Sequence, residues 1–416
     1  MFIYAYILTY HDTVEPLINT SSNTLPEPGE EAKQRSLLLS KCVRSACRSK
    51  NGWISFTDFM NIALYEPGLG YYSGGLQKFG QKGDFITSPE VSPMFGQCIA
   101  NQVSEVFLNF RNTSDEEICL IEFGAGSGVL AVDVLLQLEN IGSLPDQYLI
   151  LELSAELQQR QKETIKNKAP HLFELVRWLD RLPDDVTNAV VVANEVLDAM
   201  PVECFKVVAN NIETLMVGFD NDELVSRYVP ASDEVIEKIS TTEQRSEIKL
   251  SNNYGSEFNP AISGWLAGIE SGIKNIVIFL IDYGYNEREY YHPDRVNGTL
   301  MCYYQHRAHE NFLWWPGLQD ITAFVNFTDV AYNAVDLGMN VSGYTTQAAF
   351  LLSNGLSEIH ESQVTDDVKQ QVKLSQQIKT LTLPSEMGDR FKVMALTKNY
   401  DEPLHGFSML DLRSRL

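Results

Sequence analysis

From Cys119 onward, short apolar runs alternate with stretches of helical periodicity. "CLIEF" runs into Gly124, Gly126 and Gly128 and then into "VLAVDVL", a predicted amphipathic helix. "QYLIL" stops at Glu152, and Ser154 two residues on is a predicted helix N-cap. "LVRWL" predicts a third short strand with Trp178 and Asp180 at its exit, and "NAVVVAN" a β-branched strand that ends at Asn194, Glu195 and Asp198. "NIVIFLIDYGY" predicts another strand closing on Asp282, and Phe391–Thr397 a last one, expected to complete the sheet at one edge. Strands separated by helical patterns imply an α/β fold built on a mostly parallel, Rossmann-like sheet.

The chain divides around that core. Residues 1–30, with Pro16, Pro26, Pro28 and Gly29, predict a flexible lead-in. Residues 31–110 predict a helical and lid region: a helix in "EEAKQRSLLLSKCVRSACRSK", an amphipathic segment after Trp53, a long glycine- and aromatic-rich loop, and a helix from about Ser92. A loop of that length is functional or disordered, and its tyrosines and phenylalanines favour an ordered lid or pocket wall. Residues 111–285 form the nucleoside-binding core, interrupted at about 210–265 by a polar, acidic excursion that predicts a helix and exposed surface. Residues 286–416 supply the C-terminal part of the core, including a helix after Thr322.

Charge narrows the partners. Thirty-two basic against fifty-five acidic residues leave a formal charge of −23, which opposes attraction to nucleic acid and to acidic membranes. "MFIYAYILTY" is too short to span a bilayer, and the first basic residue is Lys33, so no membrane insertion, export signal or transit peptide is expected. Cys42, Cys47, Cys98, Cys119, Cys204 and Cys302 are scattered without a metal-ligand spacing, and a cytoplasmic location with free thiols is the expectation. His306 and His309 lack a third ligand at sensible spacing and are read as solvated or hydrogen-bonding, not metal-binding.

The chemistry concentrates where strands end. A glycine-rich turn opening a helix gathers backbone N–H groups and the positive end of a helix dipole at one crevice. The spacing departs from the dinucleotide fingerprint, which wants a small residue where Val129 stands. Glu122 at the strand tip would repel a pyrophosphate and attract the cationic amino-acid end of S-adenosylmethionine. Glu152 suits the ribose hydroxyls of an adenosine, a need that NAD and S-adenosylmethionine share. Trp178 and Asp180 are placed to flank an adenine, with core packing the alternative for Trp178. Glu195 and Asp198 lie where open parallel sheets bind ligands, and a carboxylate pair matches a planar guanidinium; the competing reading makes them caps of a following helix. An NAD-dependent oxidoreductase and a noncatalytic assembly factor that retains such a fold stand as alternatives to a methyltransferase.

Many separate blocks, "ALYEPGLGYY", "GDFITSPEVSPMFG", "EFGAGSGVL", "NEVLDAMPVECF", "DYGY", "GTLMCYYQHR", "PGLQDITAFVNF", "TTQAAFLL" and "EMGDRFKVMAL", together resemble the MidA family of S-adenosylmethionine-dependent methyltransferases. Mitochondrial members of that family are complex I assembly factors that methylate a protein arginine. The resemblance runs from about Trp53 to the C-terminus and implies a class I methyltransferase sheet with an added helical and loop region forming a lid over a deep pocket. It implies S-adenosylmethionine as cofactor and a protein substrate, with a respiratory-complex subunit as one such partner. It also places Gly83, Asp84, Thr87 and Pro89 beside the cofactor, joining Glu122, Gly124, Gly126, Gly128, Glu152, Asp180 and Asn194. Glu195 and Asp198 are the catalytic candidates, and His306, Asp320 and Thr322 the substrate-side candidates. The chain departs from the family at Asn326, where an acidic residue is common, and in a glycine loop, "GAGSG", with no proline or arginine. Methyl transfer from a sulfonium is an in-line displacement, for which a protein must align the groups and exclude water.

Overall fold

The computed structural model describes residues 25–74, 87–183 and 185–416. Its centre is an eight-stranded sheet in which β1 (Ile118–Phe123), β2 (Gln147–Leu151), β3 (Val176–Leu179), β4 (Val186–Asn194) and β5 (Ile273–Tyr285) run parallel. Strands β6 (Asn340–Thr346) and β7 (Phe391–Lys398) extend it antiparallel to give the order β6-β7-β5-β4-β1-β2-β3, and the short strand Val325–Asn326 pairs with the end of β5. The unbroken apolar runs of β1, β4 and β5 follow from burial on both faces, where one large core packs on each side. Between β1 and β4 the strand order reverses, and the crevice at their carboxyl ends is where such sheets receive ligands.

Two expectations are corrected. The last strand does not complete an edge: β7 lies between β5 and β6, and β6 is the edge. "NVSGYTT" hides that edge strand because it is only half buried and carries Gly343, where a Cβ would fall 2.3 Å from the Phe407 ring. The excursion at 210–265 contains the predicted helix, Asp233–Ser246, but most of the rest is sheet. Asn211–Asp220 and Glu223–Pro230 form a hairpin that joins Trp53–Ser55, Glu203–Val208 and Gly255–Phe258 in a five-stranded antiparallel sheet. Its outer strand, Glu223–Pro230, faces solvent with most of its residues, so it reads as polar surface.

The predicted N-terminal helix is Glu30–Ser49, and a second helix, Phe56–Tyr65, is capped by Ser55, whose hydroxyl accepts the Asp58 N–H. Both pack in a third core against the antiparallel sheet and the small sheet formed by Met301–Tyr304, Arg307–His309 and Asp320–Thr322. This assembly provides walls over the carboxyl ends of the central strands. Of the expected flexible lead-in, residues 1–24 lie outside the described residues, and Leu25 is buried against Tyr304 and Leu318. Among the described residues no helix is long and apolar enough to cross a membrane.

Candidate functional site

A cavity of about 920 Å³ opens at the carboxyl ends of β1, β2 and β4. Its floor is the glycine turn. Gly124, Gly126 and Gly128 have φ of +61°, +52° and +80°, the left-handed region that side chains rarely enter. A Cβ on Gly128 would also come within 3.0 Å of the Gln161 backbone, so the helix Val129–Asn140 can start there only on a glycine.

Glu122 and Glu152 both line this end of the cavity. Tyr148 donates its hydroxyl to Glu122 at 2.7 Å; burial pushes the Glu122 carboxyl up to about 7, against the pull of that hydrogen bond. Glu152 accepts the Ser154 N–H at 2.9 Å and the Gln161 amide at 3.0 Å. Gln161 also donates to the Gly126 carbonyl at 3.2 Å and accepts the Trp178 indole N–H at 2.9 Å, so it ties the glycine turn to Glu152. Trp178 therefore acts behind the wall, and neither it nor Asp180, exposed just past β3, lines the cavity. Leu153 and Leu182 occupy the positions nearest that expectation.

The other end holds the paired acids. β4 ends at Asn194, and Glu195 follows with φ +52°, its N–H bonded to the Ile281 carbonyl. No helix follows directly, so the carboxylates are not helix caps; Glu195 and Asp198 both line the cavity. Glu195 Oε1 accepts the Asn194 amide at 3.2 Å and the Ser88 N–H at 3.4 Å. Burial, then the negative charge of Asp198, pushes Glu195 up to about 8. Asp198 is pushed to about 6 by burial against a hydrogen bond donated by the Tyr283 hydroxyl. Its other oxygen, Oδ1, is buried with no side-chain partner among the described residues, as is Asn194 Oδ1.

Thr87 and Pro89 line the cavity, and Glu90, beside them, accepts a hydrogen bond from the Ser127 hydroxyl of the glycine turn. Gly83 and Asp84 lie outside the described residues. Asp320 and Thr322 are buried on one short strand; Asp320 accepts the Tyr72 hydroxyl at 2.9 Å, behind the lining, and Thr322 does not line the cavity. His306 is exposed at the turn between Met301–Tyr304 and Arg307–His309 and does not line the cavity. It and Gln305 both have positive φ, the geometry of a two-residue hairpin turn, and that turn accounts for its position. Asn326 caps the helix Phe327–Asp336 by accepting the Asp329 N–H, a role an aspartate would fill equally.

The aromatic stretch expected as a lid or pocket wall does supply part of the wall, through two tyrosines not singled out from the sequence. Tyr65 and Tyr72 line the cavity with rings stacked 5.6 Å apart at 21°, and the Tyr65 hydroxyl donates to the Ala199 carbonyl at 2.8 Å. The signal was the block "ALYEPGLGYY", whose turn at Pro67 and Gly68 folds Tyr72 back onto the end of the helix carrying Tyr65. Taken whole, the described lining carries Glu90, Glu122, Glu152, Glu195 and Asp198 and no lysine, arginine or histidine. Such a cavity favours cations and disfavours a pyrophosphate.

The comparisons agree. A family described as "Putative S-adenosyl-L-methionine-dependent methyltransferase" matches residues 98–345. A Burkholderia thailandensis crystal structure bound to S-adenosyl-homocysteine superposes with a TM-score of 0.88 at 38% identity, covering 94% of this chain and 100% of that one. "Protein arginine methyltransferase NDUFAF7, mitochondrial" is 25% identical in Danio rerio, over 87% of this chain and 90% of the relative. The Homo sapiens protein of that name is 26% identical over 83% of this chain and 80% of its own length. The chain thus belongs to the S-adenosylmethionine-dependent methyltransferase family that its motifs resemble, with a class I methyltransferase-like fold and S-adenosylmethionine as its cofactor.

Proposed function

We propose that the chain methylates an arginine of a partner protein, with Glu195 and Asp198 holding the guanidinium. The observation that carries this reading is the pair of buried carboxylates, unmatched by any basic residue in the described lining, in the same cavity as the glycine turn. The relatives named above as protein arginine methyltransferases support it.

S-adenosylmethionine supplies an electrophilic methyl group on a sulfonium. Gly124, Gly126 and Gly128 let the backbone approach it, Glu122 meets its amino group and Glu152 its ribose; the short helix Ser88–Val91, with Thr87 and Pro89, closes over that end. At the other end the guanidinium lies between Glu195 and the free oxygen of Asp198, beside Tyr65 and Tyr72, whose ring faces suit a planar cation. An arriving cation compensates the burial that raises both acids and returns them to the charged form. As the nitrogen–carbon bond forms and the carbon–sulfur bond of the sulfonium breaks, its electron pair staying on a neutral thioether sulfur, the guanidinium nitrogen would give up one proton, and Glu195 Oε2, which neither Asn194 nor Ser88 occupies, would accept it; the methylated product remains a cation.

The respiratory-complex subunit is carried as part of the same proposal on the family resemblance. The relatives' names carry the word mitochondrial, which does not support the cytoplasmic expectation. The test is incubation with methyl-labelled S-adenosylmethionine and cell extract. Label in protein, released as methylarginine on hydrolysis, supports the reading; label confined to lipid or nucleotide overturns it.

A further inference from the structure

We propose that Asp282 and Tyr283, adjacent at the end of β5, are positioning residues that aim Asp198: Asp282 grips the backbone of the acidic turn, and Tyr283 holds one Asp198 oxygen so that the other faces the acceptor. The inference rests on the acceptor reading above.

The turn from Glu195 to Pro201 has no regular ladder to fix it and begins on a non-glycine residue at φ +52°, a conformation kept only where the surroundings impose it. Asp282 supplies that constraint. It is fully buried, and its Oδ2 accepts the N–H groups of Leu197 at 3.0 Å and of Asp198 at 3.2 Å, while Oδ1 accepts the Tyr283 N–H at 2.9 Å. Both oxygens are therefore spent on backbone, and Asp282 is absent from the cavity lining, unlike Glu195 and Asp198. From the far side the Ala323 N–H bonds to the Asp198 carbonyl at 3.1 Å. Tyr283 then fixes the Asp198 side chain through its hydroxyl, and its own ring is held edge-on by Phe324 at 4.9 Å and Phe391 at 5.5 Å. What remains is Asp198 Oδ1, buried and with no side-chain partner among the described residues. A buried acceptor short of donors is costly, and a donor on the acceptor substrate would offset that cost.

The test uses Asp282→Ala and Tyr283→Phe in the full chain. The alanine leaves the Leu197 and Asp198 N–H groups without their acceptor, so the turn loosens; the phenylalanine keeps the ring packing and removes only the donor. S-adenosylhomocysteine affinity is read by calorimetry, and N-acetyl-arginine-N-methylamide affinity for the S-adenosylhomocysteine-bound protein by NMR. The Asp198 carboxyl is titrated by carbon NMR among the groups that face it: Glu195, Asp282 and Asp320, and the hydroxyls of Tyr65, Tyr72, Tyr283 and Tyr303. Both variants are expected to keep S-adenosylhomocysteine affinity within about twofold and to weaken arginine-amide binding about tenfold. Tyr283→Phe should also raise the Asp198 midpoint, because a donor to the charged form is lost. Unchanged arginine affinity in either folded variant, or an unshifted midpoint in Tyr283→Phe, overturns the positioning role. Failure of the wild-type protein to bind the arginine amide overturns the guanidinium reading instead, and the Asp198 midpoint in Tyr283→Phe then decides the positioning role by itself: a rise supports it and no change refutes it.

Discussion

The two ends of the cavity are built differently. The cofactor end is local: Glu122 and the three glycines occupy seven consecutive residues, 122 to 128, Glu152 precedes the helix Ala155–Lys168, and Gln161 lies within it. The acceptor end is assembled from distant stretches: Tyr65 and Tyr72, Glu195 and Asp198, Asp282 and Tyr283, and Asp320. Backbone conformation dominates the first, where positive φ dictates glycine. Side-chain hydrogen bonding dominates the second, where each acid depends on donors from another segment. A strand–turn–helix unit can be exchanged among chemistries, whereas on the proposed reading the distributed acids would set what is methylated.

Gly126→Val should break the local end most severely. A β-branched residue at φ +52° is strained and meets the space the ligand backbone contacts require, so S-adenosylhomocysteine affinity should fall on the order of a hundredfold while the folded secondary structure remains. Calorimetry with circular dichroism checks this; wild-type affinity in a folded variant would show that the turn does not carry the cofactor. At the distributed end, Tyr72→Phe removes the hydroxyl that satisfies Asp320 and should raise the acceptor KM about tenfold with cofactor affinity unchanged. Steady-state kinetics that moved only the cofactor KM would contradict the division.

The pH dependence sharpens the comparison because acids at both ends are raised: Glu122 from 4.5 to about 7, Glu195 from 4.5 to about 8 and Asp198 from 3.8 to about 6. Through that range the unfolded chain has released protons that the folded chain still holds, so the stability of the unliganded protein should fall as pH rises from about 4 to about 8. A cationic ligand opposes the loss by favouring the charged carboxylates. Melting temperature across this window should therefore decline more steeply without S-adenosylmethionine than with it; parallel curves would mean that Glu122 does not face the ligand. The smallest effect belongs to Trp178→Phe. It leaves the cavity lining intact but removes the indole donor to Gln161, and should weaken cofactor binding roughly threefold. A much larger loss would restore Trp178 to direct contact with the adenine.

These asymmetries explain what was legible. The parallel strands, the N-cap at Ser154, the helix start near Ser92 and the glycine turn are short-range patterns, and all are present in the structure. Glu195 and Asp198 could be singled out because they follow a β-branched run. Asp180 and His306 misled because a residue after a strand or in a polar loop need not face the crevice: one lies exposed past β3, the other completes a hairpin turn. Asp282 was visible only as a strand end, since its hydrogen bonds reach back eighty-four and eighty-five residues. The antiparallel sheet of the excursion was hidden for a similar reason: Trp53–Ser55 pairs with Met216–Gly218, far along the chain.

The central claim is that the acidic pair orients an arginine for methyl transfer. Its most direct measurement is mass-spectrometric localisation of the methyl group on the protein labelled by the wild type, run beside Glu195→Gln, which keeps the shape of the side chain and removes its charge. The account predicts methylation of arginine by the wild type and a loss on the order of a hundredfold in the variant, with S-adenosylmethionine affinity preserved. A methyl group on lysine, or full transfer by Glu195→Gln, would contradict it.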